Sequence, residues 1–167
     1  MRDQQDLGAI ARGVVDANRY LTLGTMNGDG RPWLSPLFFA AKDSTAFYWV
    51  SSLAARHSQN LTRHPQVSMV IFDSQVPPYT GQAVYLSARA EQLEGSELDR
   101  GLEVFPGPAE RGGRAVRLDE LQPPSPYGLY RALVSQQWIL CPDPAGGASG
   151  LCAAHGQAID HRVVVPM

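Results

Sequence analysis

A chain of 167 residues with 14 basic and 16 acidic side chains has room for one cored domain and no charge excess to recruit nucleic acid. Hydrophobic residues make up 44% and charged ones 18%, an ordinary globular balance, and no apolar run approaches the roughly 20 residues of a membrane helix. The opening MRDQQDLGAIARG lacks a secretory apolar stretch, and Cys141 and Cys152 have neither CxxC spacing nor a nearby histidine pair. The expectation is therefore a single domain over 1–167 in the reducing cytoplasm, with thiol cysteines and no metal.

The elements follow in order. Asp3 to Ala17 reads as a helix, with Leu7, Ile10, Ala11, Val14 and Val15 as its apolar stripe. Tyr20 to Met26 reads as a strand. Asn27-Gly28-Asp29-Gly30 supplies the positive φ of a tight hairpin. A second strand, Arg31 to Ala41, carries Pro32 and Pro36, each lacking a ladder donor, so an interruption near Pro36 is expected. Phe47 to Ser51 is a third strand, Gln66 to Asp73 a fourth and Gln82 to Leu93 a fifth. Ser96 to Phe105 reads as a helix capped by Ser96. Pro106 to Pro126 reads as loop, with one helical turn near Leu118 to Leu121. Leu129 to Cys141 is a sixth strand, and Ala158 to Val165 closes the chain as a short final one. Antiparallel strands joined by short turns, with few helices, suggest a barrel or sandwich; closure favours the barrel because it removes exposed edges.

The stretch Ala46 to Pro65 carries the most chemistry. A strand ends at Ser51 and Ser52, and a helix over Ala54 to His64 follows with Arg56 and His57 in its first turns. Hydroxyls, a guanidinium, an imidazole and free helix N–H groups there would suit a phosphate. The plainer alternative is that Ser52 caps an ordinary helix whose Arg56 and His57 face water. Leu53, His57, Asn60 and Leu61 fall on one side of that helix by spacing.

The hairpin Asn27 to Pro32, the segment Ser51 to Val67 with Asn60-Leu61 and His64-Pro65-Gln66-Val67, and Gln82 at the start of a long strand resemble the pyridoxamine-phosphate-oxidase-like, FMN-binding split-barrel family. Leu129-Tyr130-Arg131, Trp138-Ile139-Leu140 and Arg162-Val163-Val164-Val165 add to the resemblance, which covers nearly the whole chain. It implies a mainly β (α+β) fold, a six-stranded antiparallel split barrel with peripheral helices. It also implies a homodimer with FMN in clefts between subunits, acting on a small molecule as an oxidoreductase. Carried over position by position, the cofactor contacts fall on Ser35, Pro36 and Leu37, on Val50 and Ser51, on Arg56 and His57, and on Gln82. Two of these depart from the pattern: Ser35 stands where the family places a basic residue, and His57 where it places a lysine. Relatives that use deazaflavin share the fold, as would a carrier or sensor of flavin or haem. The later helix and the chain end lack the substrate-binding pattern of a true pyridoxamine phosphate oxidase, so substrate and catalytic residues are not inherited.

The remaining candidates have plainer readings. His64 suits a helix C-terminus, and His155 and His161 read as exposed. Glu91 and Glu94 read as a solvated turn rather than an acid–base pair. Trp33, Trp49 and Trp138 read as core or interface, with Trp138 the candidate to stack on a flavin ring and Arg162 a candidate to reach across a dimer.

Overall fold

The structure, a computed structural model, describes residues 6–142, 145–146, 151–152, 155–158 and 161–167. Its first helix, α1 (Leu7–Ala17), starts at Asp6, whose carboxylate accepts from Ala9 N at 3.0 Å and so satisfies one free donor of the first turn. The residues before Asp6 in the expected helix lie outside the described residues. Ala11 and Val15 bury α1 against the sheet.

Strands β1 (Tyr20–Met26) and β2 (Pro32–Phe38) form the expected hairpin, with Gly30 at φ +82° and its N–H donating to Asn27 O at 2.9 Å. The second strand does break, but at Phe39 rather than at Pro36. Past that residue, β3 (Ala40–Lys42) changes partner and pairs with β4 (Ala46–Ser52). Strands β5 (Gln66–Phe72), β6 (Ala83–Gln92) and β7 (Tyr127–Leu140) complete an antiparallel sheet in the order β2-β1-β5-β6-β7-β4-β3. The expected six strands are thus seven along this path, because one splits. The two ends of the path, β2 and β3, are joined through Phe39 alone, so the sheet must curl until they meet. That is a split barrel.

Proline chemistry explains the split. Continuing the β3–β4 register, in which Ala40 faces Tyr48, would set Leu37 opposite Ser51 and Pro36 opposite Ser52. No ladder forms there among the described residues. Pro32 and Pro36 lack donors, and β2 bonds to β1 alone. A seam is left between Ser35–Phe38 and Val50–Ser52.

Inside, Leu21, Leu23, Phe39, Phe47, Trp49, Ile71 and Ile139 are almost wholly buried. Trp49 stacks on Tyr130, its cross-strand partner, with centroids 5.7 Å apart and planes 11° from parallel. A second apolar cluster lies under α3 (Gly95–Leu102), where Leu98 meets Phe105, Leu121 and Leu129. Ser96 does not cap α3: the N-cap is Glu94 and no side chain bonds there. The expected helical turn appears as a 3-10 turn at Leu118–Glu120. Beyond β7 come β8 (Ala145–Gly146), β9 (Leu151–Cys152) and β10 (Arg162–Val164), the last paired with the end of β7. Residues 159–160 of the expected final strand lie outside the described residues.

Candidate functional site

Helix α2 (Arg56–Leu61) is shorter than the expected Ala54–His64 because Ser52 and Ala55 form a turn first. Ser52 Oγ accepts from Ala54 N at 3.2 Å within that turn, so it does not cap the helix, and Ala55 supplies no side-chain cap. The face expected from spacing is the buried one: His57, Asn60 and Leu61 point inward. Leu53 stays exposed. Asn60 fastens α2 to the first hairpin, with Nδ2 donating to Thr25 Oγ1 at 3.0 Å and to Asn27 Oδ1 at 3.1 Å.

His57 sits in the seam. Its Nδ1 lies 3.0 Å from Ser35 Oγ on β2, and its Nε2 lies 2.8 Å from Ser51 Oγ on β4. All three residues are buried, at 8%, 8% and 9% exposure. Burial alone pushes the His57 pKa below its ordinary 6.5, so the ring is neutral at pH 7. A neutral imidazole offers one donor and one acceptor. One serine therefore donates its proton to the ring, while the other accepts from the ring and keeps its own O–H available. The imidazolium that a lysine replacement would require is disfavoured where this ring lies.

The other expected residues distribute unevenly. Pro36 is exposed at the seam and Leu37 turns into the core. Val50 borders a cavity of about 500 Å³ lined by Arg114, Val116 and Leu121 of the segment after α3 and by Tyr127 at the start of β7. Arg56 is exposed, makes no ion pair among the described residues, and lies with its guanidinium 5.8 Å from the Trp33 ring centre. It shares a polar groove of about 380 Å³ with Arg63 and His64. Gln82 is not with them. Its Nε2 donates to Leu140 O at 3.0 Å, and its Oε1 accepts from Leu140 N at 2.9 Å, so the amide locks β6 to β7. It borders a different cavity, with Val70, Phe72 and Tyr85.

Glu91 lies within β6 rather than in a turn, and it pairs with Arg131 at 2.6 Å, as does Glu97. Trp49 is core, while Trp33 is 44% exposed. Arg162 stacks on Tyr85 of its own chain at 3.6 Å.

One cluster escaped the sequence reading. Cys141, Cys152, His155 and His161, expected as thiols and surface histidines, converge so that one ligand atom of each lies within 4.8 Å of the others. The ligand spacing is unusual, with Cys152-x2-His155-x5-His161 following a cysteine at the end of β7. The pairing of β7 with β10 supplies the convergence, and a spacing rule does not encode it.

The family model described as Pyridoxamine 5'-phosphate oxidase matches residues 9–136. No curated protein sequence matches the chain. Among solved structures, a heme binding protein from Mycobacterium smegmatis is 22% identical with TM-score 0.64, covering 84% of this chain and 55% of its own. The heme storage protein HutZ from Vibrio cholerae is 22% identical with TM-score 0.57, over 79% of this chain and 92% of its own. A protein from Bacteroides thetaiotaomicron described as a 5-nitroimidazole antibiotic resistance protein is 13% identical with TM-score 0.62, over 83% of this chain and 84% of its own. At such identities these likenesses speak to the fold alone. This chain spans little more than half the length of the mycobacterial protein.

Proposed function

The chain belongs to the pyridoxamine 5'-phosphate oxidase family, and from that premise we propose that it is a homodimeric flavoprotein that binds FMN at the barrel seam and passes hydride or electrons to or from a small molecule. The observation that carries this reading is the seam itself. Five of the eight expected cofactor residues, Ser35, Pro36, Leu37, Val50 and Ser51, lie on the parts of β2 and β4 between which no ladder forms among the described residues, which leaves backbone groups to a ligand.

The donor set fits a phosphate modestly. Arg56 is a presented guanidinium suited to charge-assisted bonds, and one of the Ser35 and Ser51 hydroxyls retains a proton to donate. His57 does not replace the usual lysine as a cation; it positions the two hydroxyls. The flavin would supply the redox chemistry, and the chain would bind it, orient it and exclude water. Gln82 and Arg56 border different cavities of one chain, and in the proposed homodimer one cleft would take Gln82 from one protomer and Arg56 from the other. Exposed Tyr20, Leu34 and Phe72 give apolar surface for such an interface.

A haem-carrier reading draws on a specific shortage: one well-presented cation where the family pattern has more, beside the exposed apolar Trp33 and Leu34. Two of the structural neighbours are named for heme. Titration of the purified protein with FMN, with the deazaflavin coenzyme and with haem, followed by absorbance and tryptophan fluorescence, separates the readings. FMN binding in the micromolar range or tighter is expected. Tight haem binding without FMN binding, or a preference for deazaflavin, would replace the proposal.

Arg56→Ala is expected to weaken FMN binding about tenfold to a hundredfold, the cost of one charge-assisted bond of roughly 1.5–3 kcal/mol. Arg63→Ala should change it by less than about threefold. Equal losses would move the phosphate out of the seam and into the groove that the two arginines share.

A further inference from the structure

We propose that Cys141, Cys152, His155 and His161 form a tetrahedral zinc site that fastens the C-terminal segment to the end of the barrel. The distances are those of a coordination shell. The two sulfurs are 3.8 Å apart, His155 Nδ1 is 3.5 Å from Cys141 Sγ and 3.4 Å from Cys152 Sγ, and His161 Nε2 is 3.3 Å from His155 Nδ1. A zinc ion with bonds of about 2.3 Å to sulfur and about 2.05 Å to nitrogen has tetrahedral edges of about 3.8 Å between sulfurs, 3.5 Å between sulfur and nitrogen, and 3.3 Å between nitrogens. These four edges match their classes, and the two from His161 Nε2 to the sulfurs are within 4.8 Å.

Hydrogen bonding does not account for the same arrangement. His155 Nδ1 faces three partners at once, yet a ring nitrogen carries either one proton or one lone pair. A disulfide does not account for it either, since the sulfurs stand well beyond the roughly 2.05 Å of an S–S bond. A cation at the common centre satisfies all four groups together. His161 also shows the second contact expected of a ligand: with Nε2 turned to the cluster, its Nδ1 lies 3.0 Å from Ala158 O, a bond that fixes the tautomer and orients the ring.

The donor types name the metal. Two sulfurs and two nitrogens with no oxygen exclude calcium and magnesium and suit zinc. A two-iron cluster would spread its ligands over two metals, whereas these four atoms all lie within 4.8 Å of one another, close enough to share one ion. Four protein ligands leave no open position, so the site is structural.

The local fold gives the metal a task. Cys141 N donates to His161 O at 3.0 Å, extending the β7–β10 ladder into the cluster. Cys152 and His155 flank a turn in which Gly156 N donates to Cys152 O at 2.8 Å. Strands β8 and β9 have two residues each, too few to hold themselves by burial. Binding free energy at such a site is folding free energy. Cys141 also follows Leu140, the residue that Gln82 grips by both backbone groups, so the metal would steady the neighbourhood of Gln82.

The test uses the full chain, purified reduced and without chelator. Elemental analysis should find about one zinc per chain. The apo chain titrated anaerobically with Co2+ should develop the intense visible bands of tetrahedral cobalt together with thiolate charge transfer. Cys152→Ser and His161→Ala should each lose the zinc while keeping the far-ultraviolet circular dichroism of the barrel. Should either variant fail to fold, limited proteolysis of the unaltered chain decides: chelation is expected to open cleavage within residues 142–161 and leave the barrel fragment whole. Absence of zinc with no cobalt bands, zinc retained in both variants, a Cys141–Cys152 disulfide in the chain purified reduced, or proteolysis indifferent to chelation would each overturn the site.

Discussion

Trp49→Ala is expected to lower the unfolding free energy by about 3–5 kcal/mol, the range for removing a fully buried aromatic side chain. The indole is 0% exposed and stacks on Tyr130 across the β4–β7 ladder. Its Nε1 has no hydrogen-bond partner among the described residues, so burying that N–H already carries a penalty. Trp49→Phe removes the unpaired donor and keeps most of the ring, and it should cost less than about 1.5 kcal/mol. Chemical denaturation with matched m-values measures both. A phenylalanine variant as damaged as the alanine one would mean that the indole nitrogen has a partner, such as a buried water. The same variants bear on the seam, because Val50 and Ser51 follow Trp49 directly and inherit their position from its packing.

The second large effect is expected at His57. His57→Leu leaves the Ser35 and Ser51 hydroxyls buried without the ring between them, and an unsatisfied buried polar group costs about 1–3 kcal/mol. The loss should be about 2–4 kcal/mol, because leucine returns some apolar burial. Removing both serines as well, in Ser35→Ala/Ser51→Ala/His57→Leu, should recover most of it, since an apolar trio has nothing to satisfy.

Acid dependence follows from the same burial. The folded pKa of His57 lies below its ordinary 6.5, so between those two values the unfolded chain holds more protons at this residue than the folded one. Stability from His57 is therefore complete above about 6.5 and is lost as pH falls below that value toward the folded pKa. The difference in unfolding free energy between the unaltered chain and His57→Leu should shrink as pH is lowered from about 7 to 5. A difference that grew on acidification would mean a stabilised imidazolium. By the same reasoning FMN affinity should show no fall from about pH 7 to 8 that tracks loss of an imidazolium, since burial favours the neutral ring. A fall across that range would restore His57 as a cationic ligand.

What was legible in the sequence was local. Asn27 to Gly30 spelled its turn, with Gly30 at positive φ, and the spacing of His57, Asn60 and Leu61 set them on one buried face. What was not legible came from strand pairing at a distance. Ser35 lies 22 residues from His57, and nothing local says that they touch, so the histidine read as a cation facing a ligand. Pro36 did signal trouble in the second strand, but its effect fell on the missing ladder to β4 and the break itself came at Phe39. Gln82 opened the right strand, yet its amide is held by Leu140, 58 residues away. The cysteine and histidine cluster depends likewise on β10 folding back on β7.

The unladdered stretch between β2 and β4 also has a mechanical meaning. Apart from the helix that spans it, the two strands are joined there by the two hydrogen bonds of one imidazole ring, while Phe39 joins β2 to β3, which pairs with β4 beyond the stretch. Parting them requires no backbone ladder to break. The cost there is two side-chain hydrogen bonds, about 1–3 kcal/mol together, beside the apolar packing of Leu37 and Phe39 in the core. A wall closed by main-chain pairing would have to unzip to do the same.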